Sequence, residues 1–329
     1  MERISIPAYY KDKEGREAIT NRLETQIHQI MDIVLSGKTD QQLNSKVSDL
    51  FSLRFAPKTF DDTKFVVVSR FHVAITAMQI WQMKFATGKE CEIMHTPTVD
   101  VVEKFIKEVY LPYCLDLQES LLHRWNNHGS LALMGECIAR KYMSHHAHKL
   151  NVKLENRLRL KACGAKLAER VDKNTLDKDG CLGKKYEFWA ENLRNKKGLF
   201  YTYLNLSALV RTMVTLMNEK VIVSDVTKGI LHRSYQNYLK YFYEPNKWPY
   251  MEPTKIPILR QLQKLLFPAD KFVEPRINGK EGAFMDVCAN RVYSVTSPPF
   301  MNAFTYKELG PFPYSTQIME SAHNLWGLL

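Results

Sequence analysis

Apolar residues recur at helical spacing along most of this chain, and that period constrains the fold more than any other feature. "EAITNRLETQIHQIMDIVL" places Ile19, Leu23, Ile27, Ile30 and Val34 near a 3.6-residue period. A second helix is expected over 39–51, with Asp40 in its first turn. Thr96 followed by Pro97 reads as a helix N-cap, opening a helix that runs to Trp125 and bends near Pro112, with Gly129 as a stop signal. Further helices are expected over 130–148, 151–171, 186–220 and 230–243. Short strands fit only "KFVVVS" (64–69) and "KVIVSD" (220–225), too few for a sheet-based fold.

The expected class is therefore mainly α: two helical lobes with a basic cleft between them and extended terminal arms. The boundaries follow composition. Residues 1–12 form an N-terminal arm, 13–171 the first lobe, 172–185 a polar, glycine-bearing inter-lobe loop, 186–296 the second lobe and 297–329 a C-terminal arm. Prolines and aromatics replace regular periodicity after Pro268, in "SPPF", "GPFPY" and "NLWGLL". A segment of that kind is expected to dock Phe312, Tyr314, Trp326 and Leu328 into a groove on a neighbouring copy, making the arms the route to a homo-oligomer.

Several classes find no support. The opening "MERISIPAYYKDKEG" carries no apolar signal core, and no window approaches the roughly 18 apolar residues of a membrane span. The six cysteines are scattered without a CxxC pair, as in reduced intracellular thiols. Phosphate-loop, dinucleotide and nucleophile-elbow motifs are missing, so no catalytic residue and no cofactor are expected. Residues 123–148 crowd five of the ten histidines, and a zinc site there would draw on His145, His148, Cys137 or Glu136. The spacing matches no metal motif, and no metal is expected.

Charge is the informative property. Lys and Arg exceed Asp and Glu by 46 − 35 = +11, and residues 139–197 hold 16 cations against 7 acids. Winding 151–173 as one helix at about 100° per residue gathers Arg159, Lys166, Arg170 and Lys173 into a sector of about 60°. Leu154, Leu158, Leu160, Ala165, Leu167, Ala168 and Val171 cover the opposite side. Arg157 and Lys161 project toward that apolar arc, which implies either a cleft or a break at Gly164. Arg140, Lys141 and Lys149 precede this helix, and Lys184, Lys185, Arg194, Lys196 and Lys197 follow it with Trp189 interleaved.

Such a stripe tracks phosphates, and an aromatic beside it can stack on unpaired bases. All these cations, with Trp189, are the expected contacts for sequence-tolerant binding of single-stranded RNA. A membrane is the weaker partner, because the helix offers no Trp or Phe for insertion. In outline the expected architecture resembles the nucleoproteins and helical coat proteins of RNA viruses, which wrap single-stranded RNA between helical lobes and link subunits through arms. The resemblance spans most of the chain and lies in architecture rather than in a signature motif. It implies RNA packaging by a self-assembling capsid protein in the host cytoplasm and the virion. Two rivals stand beside it: a metal-dependent or nucleotide-modifying enzyme built on the His123–His148 region, and a scaffold or shell protein with an acidic protein partner.

Overall fold

The structure is a computed structural model that describes residues 5–6, 23, 25–27, 29, 30, 33, 34, 41–55, 61–85, 98–121, 123–175, 198–231 and 234. Helices dominate: α1 (Gln41–Phe51), α2 (Asp61–Phe85), α3 (Leu111–Glu119), α4 (Asn127–His146), α5 (Leu150–Thr175) and α6 (Gly198–Asn218). Two two-residue strands, β1 (Ser5–Ile6) and β2 (Arg54–Phe55), pair in parallel. The expected periodicity near the N-terminus is met, since Leu23, Ile27, Ile30 and Val34 are helical and buried. Ile19 and Asp40 lie outside the described residues.

α4 is the hub, touching α2, α3, α5 and α6. Every residue from Gly129 to Arg140 is buried, which small side chains at Ala132, Gly135 and Ala139 permit. A Cβ on Gly135 would lie 2.5 Å from the Tyr110 hydroxyl. That hydroxyl donates to the Val68 carbonyl at 3.0 Å, so the glycine lets one side chain tie two neighbouring helices together.

α2 corrects the first strand expectation. Residues 64–69 are helical, and 66–79 are buried without a break. A helix buried on every side belongs in a core, and a short valine run does not distinguish it from a buried strand. Residues 220–225 are not a strand either. Lys220 takes φ 58°; its N–H reaches Met217 O at 3.0 Å, and Val221 N–H reaches Leu216 O at 2.9 Å. This pair of bonds is a Schellman cap, here with lysine where glycine is usual. Ser224 then caps the next helical residues, accepting from Thr227 N at 3.1 Å.

Where a bend is expected near Pro112, the helix carries a widened turn. Residues 98–105 are helical, Ile106–Tyr110 form a π-helical turn, and Leu111 N–H reaches Ile106 O. The π turn ends two residues ahead of the one that has no N–H to give. The helix then ends at Glu119, short of the expected Trp125. Gly129 is no stop signal: it lies in the first turn of α4, behind the Asn126 cap. A Cβ there would come within 2.6 Å of the His123 and Arg124 carbonyl oxygens.

α5 runs unbroken past Gly164 to Thr175, so its last turn occupies the start of the expected inter-lobe loop. α6 lies beyond that boundary yet packs on α4 and α5, and Leu206, Leu209, Met213 and Leu216 join the same core as Leu160 and Leu167. The described part of the second side thus shares the core of the first. None of the helices searched within those residues is long and apolar enough to cross a membrane.

Candidate nucleic-acid interface

α4 and α5 form a hairpin joined by three residues, Ala147 to Lys149, and it holds most of the expected RNA contacts. Its inner side is organised by one buried carboxylate. Glu136 accepts from Arg140 Nε at 2.7 Å, Lys166 Nζ at 2.7 Å and Gln118 Nε2 at 3.0 Å. Burial pushes its carboxyl up, but the two cations outweigh that and hold it below the usual range. Arg140 also reaches Asn156 Oδ1 at 3.2 Å.

A second carboxylate, Glu219, closes the outer end of the hairpin. It meets His145 Nε2 at 2.8 Å and Lys141 Nζ at 3.6 Å. Burial raises the Glu219 carboxyl, while His145 and Lys141 together bring it below its ordinary value. Burial also lowers the Lys141 amine, and Glu219 opposes that shift. Arg170 is 4% exposed, donates to the Arg124 carbonyl and lies 5.6 Å from the Trp125 ring centroid. Its burial lowers the guanidinium pKa to about 10, so it stays charged at neutral pH.

These contacts engage four of the expected RNA ligands within the protein. Arg140 and Arg170 are buried, Lys141 is committed to Glu219, and Lys166 is held by Glu136. The expected sector of Arg159, Lys166, Arg170 and Lys173 is thus a border of α5, and only Arg159 and Lys173 are exposed on it. Arg159 faces Glu155 at 3.9 Å. The apolar arc is corrected. The buried stripe is Asn156, Leu160, Cys163, Leu167, Arg170, Val171 and Asn174, while Leu154, Leu158 and Ala165 face outward.

What remains outside is a different row. Lys149, Lys153, Arg157 and Lys161 follow one another at four-residue intervals, a rise of about 6 Å per step along the helix. Lys153 is half-buried and the other three are exposed. None of the four makes an ion pair with another described residue. The sequence signal was present in "KLNVKLENRLRLKA", residues 149–162, where a cation precedes a leucine or alanine at every fourth position. Arg157 and Lys161 lie on this edge and line no cleft among the described residues.

The histidines disperse. His145 turns to Glu219, whereas His148 contacts Asp100 at 3.0 Å through Nε2 and donates its N–H to Glu103 at 3.2 Å. His123 and His128 stack at 4.6 Å, and His128 stacks on Phe65 at 3.7 Å. Cys137 and Glu136 are buried further up α4, and burial pushes the Cys137 thiol up. Among the described residues, no three His, Cys, Asp or Glu side chains gather around a point that would hold a metal.

Lys184, Lys185, Trp189, Arg194, Lys196 and Lys197 lie outside the described residues, as do Phe312, Tyr314, Trp326 and Leu328. No family model, curated protein or solved structure matches the chain.

Proposed function

We propose that the protein binds single-stranded RNA without sequence preference and packages it as a self-assembling nucleoprotein. The observation that carries the reading is the outward row Lys149, Lys153, Arg157 and Lys161. These are regularly spaced cations that no described carboxylate neutralises. A regular row of cations suits a regular row of phosphates and reads no base edge, so affinity should be electrostatic and tolerant of sequence. Arg159 and Lys173 on the opposite flank add long-range attraction within a chain of net charge +11. Packaging and assembly through the arms extend this reading to residues 297–329.

Titrating a labelled oligouridylate across salt concentrations tests it. Four phosphate contacts predict a slope of log K against log salt of about −3. Reversing charge at Lys153, Arg157 and Lys161 together should lower affinity and remove about two units of that slope. A flat salt response, or an unchanged slope in the triple variant, overturns the proposal.

A further inference from the structure

We infer that Leu150, Leu154 and Leu158, the leucine row beside those cations, form a docking ridge for an acidic amphipathic helix of a partner protein. The three side chains are 70%, 49% and 66% exposed, and they are half of the six large hydrophobics exposed among the described residues. Four-residue spacing aligns them as a ridge of the kind that inserts into the groove of a second helix. Ala162 and Ala165 continue the outward face as small residues, leaving room for a close backbone approach. Ile222, also exposed, stands beside the far end, since a Cβ on Gly164 would lie 3.4 Å from its carbonyl oxygen.

Charge selects the occupant. The ridge is bordered on one side by Lys149, Lys153, Arg157 and Lys161, while on the other Arg159 and Lys173 are interspersed with Glu155 and Glu169. A helix with aliphatic residues on one face and Asp or Glu along the edge that meets the cation row satisfies this arrangement. A second copy of α5 would set cations against cations. A bilayer would find no Trp or Phe on this helix to insert. Leucine gives RNA bases no aromatic surface to stack on. Both readings draw on the cation row, but only this inference needs the leucines, so leucine variants tell the two apart.

The probe is a labelled synthetic helix with leucines at alternating three- and four-residue spacing and glutamates along one flank. It is titrated with the full chain, in parallel with oligouridylate and with phosphatidylserine vesicles. The double variant Leu154→Ser, Leu158→Ser should bind the peptide at least roughly tenfold more weakly, because two apolar contacts are removed. Its oligouridylate affinity and circular dichroism should not change. If the pair impairs folding, Leu150→Ser alone should give a smaller loss in the same direction. The inference is overturned by absence of saturable peptide binding or by an equal loss of RNA affinity. It is overturned equally if leucine-dependent binding appears with vesicles, or if the wild type forms an oligomer that the variant does not.

Discussion

The two sides of the α4–α5 hairpin carry the same residue types under opposite rules. On the inner side, Arg140 and Lys166 share Glu136, and Lys141 shares Glu219 with His145. On the outer side, Lys149, Lys153, Arg157 and Lys161 make no ion pair among the described residues. Taking a charge out of water is expensive unless a partner compensates it, so Arg140, Lys166 and Lys141 sit where a carboxylate meets them and Arg170 where the Arg124 carbonyl does. The outer cations need no compensation to be tolerated. Being unpaired therefore leaves the outer cations available to an external partner.

The largest expected effect comes from breaking the inner side. Glu136→Ala leaves Arg140 buried without its carboxylate and frees Lys166, which should cost about 3–5 kcal/mol of stability. Urea unfolding followed by circular dichroism measures it. By contrast, Arg157→Ala should stay within about 0.5 kcal/mol of wild type. Comparable losses at both sites would erase the distinction between the two sides.

A pH titration sharpens the comparison with a smaller effect. The Glu136 carboxyl sits below its ordinary value, so its contribution is present above the unfolded carboxyl value and is lost as pH falls through the lowered folded one. His72, buried in α2, acts in the same direction from higher pH. Burial, reinforced by Arg211, lowers it from 6.5 to about 3. The native imidazole stays neutral while the unfolded chain takes up a proton, so stability should decline as pH drops below 6.5. Between pH 6.5 and about 4.5 that decline should approach 2 kcal/mol. His72→Gln should flatten this upper part, and Glu136→Gln the part below it. Replacing the outer lysines and arginines with glutamine should leave the profile's shape intact.

Much of the helical content was legible, because burial along a helix repeats locally: Leu23, Ile27, Ile30 and Val34 reveal themselves by spacing alone. The direction of α5 was not. Hydropathy places Leu154 and Leu158 inside and Asn156, Arg170 and Asn174 outside, and the fold reverses both assignments. The reversal depends on distant partners. Asn156 meets Arg140 across the hairpin, and Asn174 Oδ1 accepts from Asn205 at 2.5 Å, 31 residues away. No local period encodes such pairings. Local excess of positive charge was readable from counting, but which cations face solvent depended on where Glu136 and Glu219 arrive. The four-residue alternation of cation and leucine was the one local clue to the outer face.

The smallest effect tests why the outer row exists at all. Like charges four residues apart on a helix oppose one another by about 0.2–0.5 kcal/mol per pair. Arg157 has such a neighbour on each side, Lys153 and Lys161, and nothing described neutralises it. Arg157→Gln removes both repulsions and keeps a good helix former. It should therefore raise stability by a few tenths of a kcal/mol at low ionic strength, and the gain should vanish near 1 M salt, where the Debye length is about 3 Å. Thermal melts of wild type and variant at two salt concentrations are enough to see it. A clear loss of stability would mean that Arg157 has a structural partner, and the outer side would then follow the inner rule. A small, salt-sensitive gain would mean that the folded chain carries the row at a net cost to itself, as expected of cations placed for a ligand rather than for the fold.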